Sequence, residues 1–320
     1  MIVDLDMRIW ARTEDLGEGI SSAVRRSNAA RWVRPDASPD ALLTASQTVD
    51  CGLVLGFRSD LLRGGVPEAA IRRLIESGAA HAPGRLLYAR AIDPMASDAI
   101  AEVESARSAG ACAVWVDPAL QGFHPSDTRA MRVFDRAEAM QLPVFVGWSG
   151  PLPSASRLEF GRPYLLDEVA RAFPRLSIVL AGCGHPFTQE ALALVAKHDR
   201  VFGTLAGVAS RPWELLQVLQ QARDLGVDSK LLFASGFPFD TPARAIEAIY
   251  SVNASVHSTQ LPHIARSALR EIVERDAISL LGLGVPPAPR DRLAPRPLAA
   301  RLEFDAPSDN DARPREGAQP

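Results

Sequence analysis

The chain has 320 residues, of which 47% are hydrophobic and 23% are charged, and its formal net charge is −3 at pH 7. This composition predicts a globular protein with a large core, and the charge gives no reason to expect nucleic acid or an anionic membrane as a partner. There is no run of about 18 apolar residues, no signal-peptide pattern at the start and only three, widely separated cysteines, so we expect a reduced cytoplasmic protein.

The first ten residues predict a short strand that enters a core, because apolar residues alternate there with charged ones. The charged residues are Asp4, Asp6 and Arg8. Burial normally excludes such side chains, so their presence in a core strand calls for a special role. The polar stretch that follows, about 11–40, is too long for a tight turn and is expected to form a lid-like excursion.

From residue 51 onward, apolar runs of strand length alternate with segments of helical periodicity. The predicted strands are 51–57, 86–92, 112–116, 143–148, 177–181, 201–205 and 230–234. The predicted helices are 67–77, 96–109, 127–141, 165–173, 188–197, 212–226, 241–256 and 262–281. In the sixth of these, Ser210 is the expected N-cap, Pro212 the first helical residue and Gly226 the stop.

Together with the opening strand, this pattern makes eight strand–helix units of roughly thirty residues, which is typical of parallel strands with helical crossovers. Eight units favour a closed (β/α)8 TIM barrel over an open sheet. We assign the barrel to residues 1–285. From residue 286 to residue 320 the chain is rich in proline and arginine and has almost no apolar periodicity, which predicts a disordered tail.

Several short motifs occur in an order and at spacings that resemble the metal-dependent amidohydrolases of the amidohydrolase-2 type. They include Gly84-Arg85-Leu86 with Asp93-Pro94, the run 117–125, Leu142-Pro143-Val144-Phe145-Val146, Leu166-Asp167-Glu168-Val169-Ala170, Phe233-Ala234-Ser235-Gly236-Phe237-Pro238, and Asp276-Ala277 with Leu280-Leu281-Gly282. The resemblance covers about 1–285 and implies the same barrel fold. It also implies a catalytic zinc or another divalent metal, and a dimer as the usual assembly.

The positions that hold the metal or act as the base in that family are all changed here. The first-strand histidines correspond to Asp6 and Arg8, whereas Asp4 retains the family's residue and is expected to be structural. The remaining positions correspond to Gly147, Gly182 and Gly236. Arginine cannot ligate a cation, and glycine has no side chain with which to bind a metal or move a proton. We therefore expect a barrel without a metal or another cofactor.

A rebuilt site is the alternative, with Arg8, Asp117, His124 and His185 as candidates, since the last three follow strands at the end where barrels carry their chemistry. Asp6, Asp117, His124 and His185 could also form a substitute metal site, although both histidines are more simply explained as loop residues bonded to backbone. Arg8 is better explained by an internal ion pair, with Asp6 or with Asp4, than as a fork that holds a ligand carboxylate. Cys183 is better explained as an inert buried thiol than as a nucleophile.

Three hypotheses follow. The first is a catalytically degenerate, metal-free barrel, a pseudoenzyme that serves as a binding or assembly partner, as a homodimer or together with an active homologue. The second is a metal-independent hydrolase or decarboxylase with a rebuilt site for a small carboxylate-bearing substrate. The third is a small-molecule sensor whose pocket is the emptied metal site.

Overall fold

A sheet of eight parallel strands dominates the computed structural model, which describes residues 1–29, 35–81, 86–257 and 259–284. Each strand pairs with its neighbour in chain order. The strands are β1 Val3–Met7, β2 Cys51–Leu55, β3 Leu86–Ala91, β4 Ala113–Val116, β5 Val144–Val146, β6 Ile178–Leu180, β7 Val201–Thr204 and β8 Leu231–Leu232. The predicted tail, 286–320, lies outside the described residues, as do Gly84 and Arg85 of the first motif.

The sheet curves round until the segment after β8 meets β1. The amide of Gly236 donates to the carbonyl oxygen of Asp6 at 3.1 Å, and the amide of Arg8 donates to that of Phe237 at 3.0 Å. The result is a nearly closed barrel with surrounding helices, so the predicted (β/α)8 TIM barrel is confirmed. This closure places the carboxyl ends of β1 and β8, and hence positions 6, 8 and 236, side by side.

Helices follow the strands round the outside of the barrel. They are α1 Glu18–Ala29, α2 Pro39–Ser46, α3 Glu68–His81, α4 Ala99–Ala106, α5 Pro118–Gln121, α6 Thr128–Ala139, α7 Asp167–Ala172, α8 Thr188–Lys197, α9 Pro212–Asp224, α10 Pro242–Tyr250, α11 Arg266–Glu274 and α12 Ala277–Leu281. A two-stranded ribbon, Arg58–Ser59 with Gly64–Gly65, follows β2. None of the described helices is long and apolar enough to cross a membrane.

The structure corrects three details of the predicted helices. The segment 241–256 ends its α-helix at Tyr250 and continues as a 3-10 turn, and 262–281 is two helices separated by Arg275 and Asp276. Ser210 does not cap α9; its hydroxyl donates to the carbonyl of Gly207 at 2.9 Å, and the helix begins at Pro212. A long apolar pattern did not reveal these breaks because apolar spacing persists across a short turn.

The excursion after β1 carries regular structure that its polar sequence did not predict. It contains a 3-10 turn, Thr13–Leu16, followed by α1 and then α2. Ser38 caps α2 by accepting from the amide of Ala41 at 3.3 Å, and Pro39 occupies the first turn. Local cap residues, rather than apolar content, mark the start of this helix.

The pairing register shifts within β1, between Asp4 and Met7. Leu5 belongs to the apolar cluster that also contains Leu53, Trp115 and Phe145, whereas Met7 belongs to the cluster that contains helix residues such as Ile71 and Leu74. All five residues of the strand are buried. An irregular register of this kind re-aims side chains, and here it accompanies two carboxylates and a guanidinium in the core.

Candidate functional site

Arg8 lies at the carboxyl end of β1 and is 1% exposed. Its Nε donates to Asp6 Oδ1 at 3.0 Å, its Nη1 to the carbonyl of Gly56 at 3.3 Å, and its Nη2 to the carbonyl of Gly147 at 3.4 Å. The guanidinium therefore bridges β1 to the ends of β2 and β5. This is the internal ion pair that the sequence favoured over a ligand clamp.

Aromatic side chains surround the same guanidinium. Its Cζ lies 5.0 Å from the ring centroid of Trp115 and 4.7 Å from that of Trp148. Trp148 also packs against Phe57, Trp10 and Phe239, with ring centroids 5.6–6.5 Å apart. A cation over indole faces in a water-poor site is stabilised by the ring quadrupole, so these aromatic rings compensate part of the cost of burying Arg8.

Asp117 is the second acidic group near Arg8. It follows β4, is 3% exposed, and accepts from the amide of Leu120 at 2.8 Å, which caps α5. Burial raises its pKa to about 6, against the opposing effects of that hydrogen bond and of the Arg8 charge. Burial likewise lowers the pKa of Arg8, and Asp6 and Asp117 oppose this shift.

Asp4 ties β1 to the segment after β8. Its Oδ1 accepts from the amide of Ser235 at 2.9 Å, and its Oδ2 accepts from the hydroxyl of the same serine at 2.6 Å. Burial raises the pKa of Asp4 to about 7, and the Ser235 hydrogen bonds oppose this rise. These contacts agree with the structural role expected for Asp4.

The three glycines at positions where the resemblance implies a metal ligand or base all have positive φ: 107° at Gly147, 54° at Gly182 and 77° at Gly236. A Cβ at Gly182 would lie 2.8 Å from the carbonyl oxygen of Ala206, and one at Gly236 would lie 3.0 Å from the amide nitrogen of Gly207. Side chains rarely adopt such backbone angles. The backbone at 182 and 236 is therefore unsuited to any larger residue.

The residues of this site do not fit the divalent metal that the resemblance implies. The buried guanidinium of Arg8 lies at the carboxyl end of β1, and Asp6, its partner, has one buried carboxylate oxygen, Oδ2, without a hydrogen-bond partner. Within the described part of the chain, no group of three or more His, Cys, Asp or Glu side chains could hold a metal ion. The donors among the described residues therefore do not match a divalent-metal site.

A cleft opens beside this centre, among the loops that follow β4, β5 and β6. We call it the mouth cleft; its volume is about 50 Å³. Its residues include Asp117, Trp148, Leu158, Phe160, Arg162 and His185. Of the candidate rebuilt site, Asp117 and His185 thus line one cleft, whereas Arg8 is buried and does not line it.

His185 is held by a carboxylate from the next unit of the barrel. Its Nδ1 lies 2.5 Å from Glu214 Oε1, and Glu214 lies in the first turn of α9. The His185 side chain is 38% exposed and that of Glu214 is 19% exposed. Arg211 lies 3.6 Å from the other carboxylate oxygen of Glu214. A carboxylate partner of this kind fixes the orientation and tautomer of an imidazole.

The remaining candidates, His124 and Cys183, do not line the mouth cleft. His124 is exposed, accepts from the amide of Ser126 through Nδ1 at 3.2 Å, and packs edge-on against the outer ring of Phe160. Cys183 is fully buried, and burial raises the pKa of its thiol to about 12. These surroundings agree with a loop histidine and an inert thiol.

Two features of the site were not predicted. The sequence did not indicate Glu214 as a site residue, because it lies 29 residues after His185 on a different strand–helix unit. The signal that could have indicated it is its place in the first turn of α9, the helix that follows β7. The aromatic cluster around Trp148 joins rings from four separate segments, so no local pattern reveals it.

Comparison with known proteins places this geometry in a family. The model of the amidohydrolase family matches residues 3–282. The chain belongs to the amidohydrolase family. No curated protein matches it.

Similar solved structures share the barrel at low sequence identity. An uncharacterized TIM-barrel protein from Bordetella bronchiseptica is 19% identical, with a TM-score of 0.66 over 88% of this chain and 98% of its own. A 2,6-dihydroxybenzoate decarboxylase from Rhizobium is 16% identical, with a TM-score of 0.58 over 88% and 98%. A Burkholderia multivorans amidohydrolase with bound zinc is 15% identical, with a TM-score of 0.61 over 89% and 100%. At these identities the likeness shows the fold alone.

Proposed function

We propose that this chain is a metal-independent amidohydrolase-family barrel that binds a ligand or a partner at its mouth and does not perform metal-dependent hydrolysis or decarboxylation. The observation that carries this proposal is the bonding of Arg8. Its guanidinium is directed to Asp6 and to the carbonyls of Gly56 and Gly147, at the end of the strand whose family positions are metal ligands.

The first support for the proposal is the positive charge of Arg8, which would repel a metal ion. A divalent ion near Arg8 would face a fixed positive charge in a medium of low polarity, where like charges repel strongly. Asp6, the nearest carboxylate, is already paired with that charge. Removing Arg8 would not recreate the family's site either, because Gly147, Gly182 and Gly236 supply no donors.

The rim of the barrel mouth favours a binding role for this end of the molecule. Large apolar side chains that are 36–60% exposed lie on segments that follow the strand ends: Leu61, Leu152, Leu158, Tyr164 and Trp213. A contiguous exposed apolar patch is typical of a surface that contacts another molecule, and Leu152 and Leu158 both line the mouth cleft. This supports the hypothesis of a partner, either a second copy or an active homologue.

The enzyme alternative has one observation in its favour, the shared location of Asp117 and His185 in the mouth cleft. A histidine oriented by Glu214 could accept a proton, and Asp117, with a pKa of about 6, could exchange one near neutral pH. Arg8 is not placed to clamp a carboxylate in such a site, because its side chain is 1% exposed and does not line the mouth cleft. The sensor hypothesis would use the same cleft.

The deciding experiment is metal analysis of tag-free protein expressed with zinc, manganese and iron supplied. We expect metal at background by plasma mass spectrometry, no stabilisation by added Zn²⁺ or Mn²⁺ in thermal unfolding, and no turnover of 2,6-dihydroxybenzoate with either ion. Near-stoichiometric metal or metal-dependent turnover would overturn the proposal. Sedimentation velocity, with the Trp213→Ser variant as comparison, tests separately whether the rim mediates self-association.

A further inference from the structure

We propose that the mouth cleft binds a small planar group that donates hydrogen bonds, such as an amidinium, a guanidinium or a primary amide, in preference to a carboxylate. The inference rests on the proposed binding role of the mouth and specifies the chemistry of its ligand. It depends on the charges, the hydrogen-bond acceptors and the shape of the cleft.

Three of the arginines near the cleft are each paired with a carboxylate. Glu190 Oε1 accepts from Arg162 Nε at 3.0 Å, Arg8 is paired with Asp6 and buried, and Arg211 faces Glu214.

Arg157 has no ion pair among the described residues, and its Cζ lies 5.7 Å from the Phe160 ring, but its side chain is exposed and its charge is screened by water. Asp117 adds a negative charge to the cleft wall, and the cation nearby, Arg8, is shared with Asp6. A carboxylate in the cleft would lie close to the Asp117 charge, and like charges in a partly buried site repel.

The polar groups on the wall are acceptors. The Glu214 carboxylate can only accept, so its contact with Nδ1 places the proton of the neutral His185 ring there and leaves Nε2 as an acceptor. The Asp117 carboxylate has more lone pairs than the α5 cap uses. Both acceptor residues line the same cleft, so a ligand with at least two donors can pair with them.

The shape of the cleft limits the size of the group. Its volume of about 50 Å³ is well below the cavity of about 150 Å³ that encloses benzene. A head group of a few non-hydrogen atoms fits, with the rest of its ligand outside. Trp148, Phe160 and Phe187 provide ring surfaces along the walls, and a planar cation gains from contact with such rings.

Three probes of nearly identical shape test this preference: acetamidine hydrochloride, acetamide and sodium acetate. Acetamidinium is a cation that only donates hydrogen bonds, acetamide is neutral and both donates and accepts, and acetate is an anion that only accepts. Each is titrated into ¹⁵N-labelled protein at about pH 7.5, where Asp117 is mostly ionised. The Trp148 indole and His185 ring resonances report binding. We expect acetamidinium to bind at least about tenfold more tightly than acetate, with acetamide between them.

Variants connect the preference to the two acceptors. Asp117→Asn keeps an N-cap residue for α5, so we expect the preference for acetamidinium over acetamide to be lost while the fold is retained. His185→Ala should weaken acetamidinium and acetamide together. His263→Ala, a change at an exposed histidine before α11, is the matched control and should leave every affinity unchanged.

Acetate binding as tightly as acetamidinium, or no shift at Trp148 and His185 with any probe, would overturn the inference. The metal analysis of the same preparation decides the proposed function independently. A metal-free protein that prefers acetate would retain the proposed function and lose this inference, whereas a metal-loaded protein would lose the proposed function whichever probe it binds.

Discussion

A Cβ atom at position 182 would lie 2.8 Å from the carbonyl oxygen of Ala206, at a residue whose φ is 54°. The same relationship holds in milder form between Gly236 and Gly207. At positions 182 and 236, where the resemblance implies metal ligands, the backbone itself excludes a side chain. A metal-binding side chain at either position would require the backbone to move.

Gly182→Ala tests this exclusion. We expect a loss of about 3 kcal/mol or more in the free energy of unfolding, because the positive φ and the overlap with Ala206 both oppose the methyl group. Gly226→Ala is the matched control: its φ is 67° and nothing lies within 4 Å of its Cβ. That variant should lose only about 1 kcal/mol. Urea unfolding measures both, and equal losses would contradict the steric argument.

The variant Arg8→Met tests the internal ion pair. It leaves the carboxylate of Asp6 buried and unpaired, so we expect a loss of about 3–5 kcal/mol in the free energy of unfolding. The double variant Arg8→Met/Asp6→Leu removes both charges and should recover most of that loss. Urea unfolding of the two proteins gives the comparison. A double variant as unstable as the single one would show that the pair itself, rather than the stranded charge, carries the stability.

The sequence was most informative where a pattern was repeated along the chain or where a charged residue occurred in an apolar segment. Eight alternating units predicted the barrel, and the charges of Asp6 and Arg8 in an apolar strand predicted their pairing. Neither prediction needed contacts between distant segments. The predicted loss of the metal site remains a prediction.

The rest of the site depends on how separate units meet in space. Glu214 reaches His185 only because α9 starts beside the loop after β6, and Trp148 meets Phe239 only because the barrel closes. The positive φ of Gly182 and Gly236 is likewise a property of the folded backbone. Spacing along the chain carries no information about such contacts.

Two buried cysteines should be unreactive in the folded protein. Burial raises the pKa of Cys112 and of Cys183 to about 12, so almost no thiolate exists near neutral pH. We expect no reaction of either residue with Ellman's reagent in buffer and full reaction in concentrated urea, followed by peptide mass spectrometry. Rapid native labelling at Cys183, which directly follows Gly182, would reopen its role as a nucleophile.

The pH dependence of stability should reflect the buried carboxyls. Asp4 has a folded pKa of about 7 against an ordinary 3.8, and that of Asp117 is raised to about 6. Between the ordinary and the raised values the folded protein retains protons that the unfolded chain releases, so the free energy of unfolding falls as pH rises. We expect a higher urea midpoint near pH 5 than near pH 8, and a smaller difference in Asp4→Asn, which cannot ionise.

The control is Asp36→Asn. Asp36 is exposed, and its hydrogen bonds with Ser38 lower its pKa, so it stays ionised throughout this pH range. Its replacement should leave the difference in urea midpoint unchanged. An Asp4→Asn protein with the full pH dependence would assign the effect to other groups.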